Sequence, residues 1–197
     1  TGSFVTVGLI SMALKLSELA RRQGYSLVQL ACVDSTNTYA AEYARCHQLA
    51  VDCAGCFIVA DEQFAGRGRH SSVWKSGVGN FYCSLLLQKC LEPSVVAALG
   101  FVAGVSLWQA VQTRINAEEC SKAAICLKWP NDLLIEGKKT AGILLETFLA
   151  TQDALTIVLG VGVNIKNAPI VAEYLTTNLT AHGYKGDRDT LFEDFSF

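Results

Sequence analysis

Three segments of this 197-residue sequence hold side chains whose types and spacing could do chemistry. The richest is Asp61-Glu62-Gln63-Phe64-Ala65-Gly66-Arg67-Gly68-Arg69-His70, directly after the apolar run Cys56 to Ala60. Guanidiniums at alternate positions can grip a phosphate or a carboxylate with paired hydrogen bonds. The glycines let a backbone approach an anion closely. A dinucleotide fingerprint is excluded, because Ser71 stands where its third glycine would be and no apolar helix follows. The Gly-Lys-Ser/Thr of a P-loop is also missing. A solvated loop with two ordinary arginines accounts for the pattern equally well.

The second segment is Lys128-Trp129-Pro130-Asn131-Asp132, followed by Gly137-Lys138-Lys139-Thr140-Ala141-Gly142. Pro130 cannot donate to a sheet ladder, so Asn131 and Asp132 belong at a strand end. An Asp beside lysines and a phosphate-gripping loop could hold a metal-bound nucleotide. Lys139, at the mouth of a sheet, could neutralise a carboxylate or phosphate oxygen. A simple turn and a solvated lysine pair describe the same residues. The third segment is Gly160-Val161-Gly162-Val163-Asn164 in an apolar strand. Glycine weakens a strand unless something must come close, either a flat ligand or a tightly packed helix.

The elements that must position these groups alternate along the chain. Leu14 to Arg22 reads as a short helix, Ser26 to Val33 as a strand, and Thr38 to His47 as a helix after the turn Asp34-Ser35-Thr36-Asn37. Strands follow at Cys56 to Ala60, Asn80 to Gln88, Ala124 to Trp129 and from Asp132, with Phe64 to Gly79 as a loop. Ala141 to Leu149 and Leu155 to Ile165 form a hairpin-like pair about a Thr-Gln-Asp turn, and the pattern weakens after Asn164. No helix separates the strands between Ala124 and Ile165, which argues against a doubly wound parallel sheet. The expectation is an α+β fold, a mixed, largely antiparallel sheet backed by helices.

Pro93 to Thr113 is uncharged and long enough to span a bilayer. Its serines, glutamines, alanines and glycines, and the lack of a flanking Lys/Arg cluster, predict a buried core helix with a polar end over Gln112 to Glu119. No membrane association is expected. Hydrophobic residues make up 51% of the chain and charged residues 17%, which excludes a long disordered protein. A net charge of −2 argues against a nucleic-acid binder that relies on a global positive field. The eight cysteines fit reduced thiols in a cytoplasmic chain with its own core better than a disulfide framework. Cys53 and Cys56 have CxxC spacing, with Cys46 and His47 nearby, yet a matching second half-site for zinc is missing. No protein-only metal site is predicted.

Together the motifs resemble the biotin–protein ligases. The resemblance rests on Ser35-Thr36-Asn37, Gln63 with Gly66-Arg67-Gly68-Arg69, Trp74, Lys128-Trp129-Pro130-Asn131-Asp132, Lys139 with Ala141-Gly142-Ile143-Leu144, and Gly160 to Asn164, in that order. It covers residues 14 to 185. It implies a fold like the class II aminoacyl-tRNA synthetase catalytic domain. It also implies activation of biotin by MgATP to biotinyl-5′-adenylate, then transfer to a lysine of a biotin carboxyl carrier domain, as in acetyl-CoA carboxylase. Ser35, Thr36, Asn37 and Gln63 would hold the biotin head. Arg67, Gly68 and Arg69 would close over biotin and adenylate, and Lys139 would sit at the reacting carboxylate. Gly142, Gly160 and Gly162 would form floor and wall. Trp74, Lys128, Asn131, Asp132 and Asn164 would face the nucleotide, with Mg²⁺ arriving on ATP. Arg67, Arg69, Lys139 and Asp132 would be the catalytic set.

His70-Ser71-Ser72-Val73 departs from the glycine and basic residues that often follow GRGR in the family. The expected division is an N-terminal extension over 1–13 and a catalytic domain over 14–197, without an N-terminal helix-turn-helix and without a complete C-terminal β-barrel. A homodimer through a sheet edge is compatible with the resemblance. A lipoate–protein ligase and a non-catalytic biotin or adenylate binder are the alternatives. An octanoyltransferase would need an acyl-accepting cysteine, and nothing marks Cys83 or Cys126 as one.

Overall fold

A computed structural model describes residues 14–47, 49–50, 52–89, 91–115, 124–149 and 155–196. The extension over 1–13, Cys90, Cys120, residues 116–119 of the polar end after the long helix, and the turn at 151–153 lie outside them. In chain order the elements are α1 (Glu18–Arg22), β1 (Tyr25–Val33), α2 (Thr36–Cys46), β2 (Gly55–Gln63), β3 (Phe81–Lys89), α3 (Pro93–Gln112), β4 (Ile125–Lys128), β5 (Asp132–Ile135), β6 (Lys138–Leu149), β7 (Leu155–Val163) and α4 (Arg188–Phe195).

The seven strands make one sheet in the order β1-β2-β3-β7-β6-β5-β4. β1 and β2 pair in parallel, with α2 as their crossover, and the other pairs are antiparallel. The mixed, largely antiparallel α+β architecture therefore stands as expected. Side chains alternate between the two faces of each strand. Phe81 and Cys83 of β3, with Val161 and Val163 of β7, pack on one face against Leu107, Ala110 and Val111 of α3 and Leu191 and Phe192 of α4. Leu86 and Val158 face the other way, toward Ala40 of α2. The glycines of β7 lie on this second face.

Three elements differ from the sequence reading, α3 and α4 most. α3 is buried along one side only: Ala103, Leu107, Ala110 and Val111 join the core, while Phe101 and Val102 are 49% and 60% exposed. A Cβ at Gly104 would lie 3.5 Å from Leu127 and 3.6 Å from Ile143, so the small residue lets the helix sit close to the sheet. The helix thus packs its small residues on the sheet as expected, but among the described residues nothing covers its outer side. The second is α4, which the weakening pattern after Asn164 concealed. Asp187 caps it by accepting from Thr190 N. Leu191, Phe192 and Phe195 bury its inner side, and Arg114 ties it to the end of α3 by a two-pronged pair with Asp194 at 2.7 and 2.9 Å. α1 is also shorter than expected. Leu14 packs in the core ahead of it, and Ser17 Oγ accepts from Ala20 N at its start.

The hydrogen bond from Thr190 N, helped by the Thr190 hydroxyl and opposed by burial, holds the Asp187 carboxyl below its usual range. A lowered folded-state pKa adds stability above the unfolded value and loses it as pH falls through the folded value. Asp187→Ala is expected to cost about 1 kcal/mol at neutral pH, as for a lost helix cap. Urea unfolding should show that gap closing below about pH 4, where the unfolded carboxyl begins to protonate. A gap that persists near pH 2 would assign it to something other than the capping carboxylate.

Candidate functional site

The parallel pairing of β1 with β2 builds one end of a cleft. It sets Val33 opposite Gln63, so the chain leaving β1 enters α2 beside the end of β2. Gln63 Oε1 accepts from Thr36 N at 2.8 Å and from Thr36 Oγ1 at 3.1 Å. Ser84 Oγ on β3 is 2.8 Å from Thr36 Oγ1 and 2.6 Å from Asn37 Oδ1. Ser35 begins α2 without a side-chain capping bond. Ser35, Thr36, Asn37 and Ser84 are all buried. This end is built from buried hydroxyl and amide groups.

The middle of the cleft is a strip of sheet without side chains. Gly142 of β6 pairs with Gly162 of β7, and Gly160 pairs with both Leu144 and Ser84. The indole of Trp74 lies on this strip. A Cβ at Gly162 would come within 2.7 Å of the ring, and one at Gly142 within 3.0 Å. A Cβ at Gly160 would strike Asn37 Oδ1 at 2.1 Å. Of the two readings of the β7 glycines, helix packing is realised at Gly160, through Asn37 of α2, whereas the ring lying on Gly162, and on Gly142 of β6, is the protein's own Trp74. The Trp74 Nε1–H is buried without a partner. Trp74 borders a cleft of about 190 Å³ on the Ser35–Gln63 side. On its other side it borders one of about 540 Å³, lined by Asn164, Tyr174 and Lys75 among others.

Lys139 sits at the far end, and Arg67 and Arg69 lie on the loop beside the cleft. Lys139 Nζ is 2.7 Å from Asp132 Oδ1, with both side chains about one-fifth exposed. The contact is an ion pair off the hydrogen-bond line, since Asp132 Oδ1 otherwise lacks a partner. The same ammonium lies 5.7 Å from the Trp74 ring centroid and 5.2 Å from that of Tyr174. Arg67 pairs with Glu146 at 2.6 Å, and Arg69 donates to Asn131 Oδ1 at 3.3 Å. The arginine loop closes on itself through Trp74 N to Gly66 O and Gly68 N to Ser72 O. His70 holds a left-handed conformation, φ 52°, at the position where the sequence departs from the family. The Trp129–Pro130 peptide is cis.

Nearly every residue singled out in the sequence lines the smaller cleft: Ser35, Thr36, Asn37, Gln63, Arg67, Gly68, Arg69, Trp74, Asn131, Asp132, Lys139, Gly142, Gly160 and Gly162. Two do not. Lys128 is exposed on edge strand β4 and lines a separate cleft against α3 with Phe101 and Trp129. Asn164 lines the larger cleft; its Nδ2 donates to Thr177 O, and its Oδ1 is buried without a partner. Ser84, Glu146 and Tyr174 were not anticipated. Single polar residues inside the strands Phe81–Lys89 and Lys138–Leu149 were the available signal for the first two. Cys83 faces the α3 core, and burial pushes its thiol pKa up, so it stays an uncharged core group. Among the described residues no three His, Cys, Asp or Glu side chains cluster as metal ligands do.

The sequence profile of the biotin/lipoate A/B protein ligase family matches residues 29–164. This chain belongs to that family. Within the family it is 39% identical over 142 residues to a biotin–[acetyl-CoA-carboxylase] ligase of Paracoccus denitrificans, covering 71% of this chain and 55% of that protein. It is 32% identical over 179 residues to the bifunctional ligase/repressor BirA of Escherichia coli K12, covering 88% and 52%. The chain thus spans about half the length of these curated relatives. A biotin protein ligase of Leishmania major, solved with biotinyl-5-AMP, superposes with TM-score 0.66 at 26% identity, covering 87% of this chain and 71% of that one. A ligase from Aquifex aeolicus, solved with biotin and ATP, gives 0.64 at 30% identity, covering 87% and 67%. The class II synthetase-like fold expected from the sequence is the fold of these family members.

The packing of Trp74 on Gly162 is directly testable. Gly162→Ala should displace the ring, make Trp74 more accessible to acrylamide quenching, and cost about 1–3 kcal/mol as an overpacked site. Gly100→Ala, whose Cβ meets nothing within 4 Å, is the control. Equal quenching in both variants would remove the ring from the floor.

Proposed function

We propose that this protein joins biotin to ATP, giving biotinyl-5′-AMP and pyrophosphate, and passes the biotinyl group to one lysine of a biotin carboxyl carrier domain. The observation that carries the reading is the order of polarity along the cleft. A buried hydrogen-bonding cage of hydroxyls and amides comes first, then a bare glycine floor, then the Lys139 ammonium, with Arg67 and Arg69 on the loop beside the cleft. Biotin has the same order: a neutral ureido head, an apolar ring and chain, and a carboxylate. The relatives solved with biotin, ATP or biotinyl-5-AMP support it.

In the first step a carboxylate oxygen of biotin attacks the α-phosphorus of ATP. The new bond is O–Pα, the bond from Pα to the bridging oxygen breaks, and pyrophosphate leaves. Two anions must approach, so cations fixed in advance lower the barrier. Lys139, Arg67 and Arg69 are those cations, each already held by an internal partner. Asp132 is the one carboxylate lining this cleft among the described residues, and Lys139 occupies it. That donor set fits a Mg²⁺ ion arriving on the ATP phosphates rather than one caged by protein; there it would offset phosphate charge. Asn164 Oδ1 and the aromatic rings of Trp74 and Tyr174 suit the nucleoside. In the second step the acceptor amine attacks the acyl carbon, the carbon–oxygen bond to phosphate breaks, and AMP leaves. Asp132, freed as Lys139 turns to the phosphate, accepts the amine proton. The anhydride is open to hydrolysis, so a loop that excludes water protects it. The six described cysteines are free thiols, which supports a cytoplasmic location.

Biotin-dependent ATP–pyrophosphate exchange should be observed, together with a biotinyl mass increment on the acceptor lysine of a carrier domain. Folded protein that binds biotin without exchange would be a binder and not a ligase. Exchange supported by lipoate in place of biotin would reassign the substrate. Arg69→Ala should release adenylate to solvent about tenfold faster, the scale of one lost charge-assisted hydrogen bond. Unchanged release would sink the assignment of Arg69 to the closing loop.

A further inference from the structure

Glu146 is a charged side chain pointing from the apolar strand β6 toward the hydroxyl-and-amide end of the cleft, on the same strand face as Gly142 and Leu144. Its side chain is only 19% exposed. Its two carboxylate oxygens have separate partners. Oε1 accepts from Arg67 at 2.6 Å, and Oε2 accepts from Asn37 Nδ2 at 2.9 Å. We propose that Glu146 is a positioning residue for the reaction above, on which this inference rests. It fixes the donor–acceptor polarity of the head cage and holds the first arginine of the loop, so that cage and loop respond together.

The argument follows from which groups can donate. An ionised carboxylate only accepts. The Asn37 amide must therefore turn its NH2 to Glu146 and its Oδ1 to Ser84. Thr36 Oγ1 faces Gln63 Oε1, which already accepts from Thr36 N, so the Thr36 hydroxyl proton points there. Thr36 Oγ1 and Asn37 Oδ1 then both look to Ser84 Oγ, at 2.8 and 2.6 Å. Ser84 has one proton for two acceptors. One acceptor in this buried cage therefore lacks a donor until a ligand N–H arrives, and a ureido group supplies such a donor. Without the charge on Glu146 only the longer contact from Asn37 Nδ2 to Leu144 O, at 3.4 Å, would hold the amide this way, and it could turn over and present its NH2 instead. The cage would then set a donor where the ureido N–H needs an acceptor.

The same chain of contacts reaches both ends of the arginine loop. It starts at Arg67, runs through Glu146, Asn37, Ser84, Thr36 and Gln63, and ends where Gln63 Nε2 donates to Ser76 Oγ at 3.3 Å. Filling the cage and closing the loop thus act on one hydrogen-bonded set.

The test uses Glu146→Gln, which keeps shape and loses the charge, with calorimetric biotin binding and release of preformed biotinyl-5′-AMP as readouts. Biotin affinity should fall about tenfold while the KM for ATP stays within about twofold, and adenylate release should rise about tenfold. In an Arg67→Ala background the same substitution should still weaken biotin but add little to release, because the partner it holds is gone. Thermal unfolding checks that the variant folds. If it does not, Glu146→Asp, which keeps the charge but cannot reach both partners, should show the release defect with a smaller loss of biotin affinity. Unchanged affinity and release, or fully additive release effects with Arg67→Ala, would overturn the role of Glu146 alone. Wild-type protein that binds no biotin would overturn it together with the proposed function.

Discussion

Close contact with bare backbone is the constraint on which the cleft depends. Gly142, Gly160 and Gly162 remove side chains from one patch of a sheet face that elsewhere carries Leu86, Val158, Ser84 and Glu146. Three different segments use the space: Asn37 from the crossover helix, Trp74 from the arginine loop, and Lys139 from the start of β6. Any side chain on the patch would push one of them away. The glycines weaken their strands, but β7 lies between β3 and β6 with a full ladder on each side, so the strand survives the loss. The sheet supplies the rigidity, and the residues that recognise and react sit on segments laid against it.

That division explains what could be read in the sequence. Arg67, Arg69, Lys139 and the glycines stand out because their types conflict with their surroundings, and such conflict is visible locally. Gly160, Gly162 and Asn164 share a face by the two-residue period, yet Trp74 separates Asn164 from the other two, and no local pattern shows that ring. Lys128 sits in the same motif as Asp132 and is paired with it across β4 and β5, but it lies on the exposed edge strand by α3. Ser84 and Glu146 looked like polar breaks in strands. Their meaning depends on pairing between segments far apart in the chain. The class of fold was legible because strands followed one another without helices. The last helix was not, since its short apolar side, Leu191, Phe192 and Phe195, follows a stretch without periodic signal.

The electrostatics of the resting site follow one rule: no cation is left alone. Lys139 has Asp132 and two aromatic faces, Arg67 has Glu146, and Arg69 has an amide oxygen. An unpaired, partly buried charge is costly, so Lys139, about one-fifth exposed, must be held until a substrate anion replaces Asp132, while the exposed arginines are free to exchange partners. The internal carboxylates thus set the protein's small negative charge against a cleft able to receive anions. The net charge of the chain says nothing of this, because opposite signs a few ångströms apart cancel in the sum.

The order of strands has a consequence for synthesis on the ribosome. β3 is made early, but its partner β7 is separated from it by residues 90–154. Until β7 emerges, β3 offers a long apolar strand with one unpaired edge, the kind of surface on which nascent chains stick to one another. The floor glycines arrive with the strand that closes this gap. Completing the sheet and completing the cleft are therefore one event, and a chain stalled before β7 would lack the cleft floor and leave the β3 edge open.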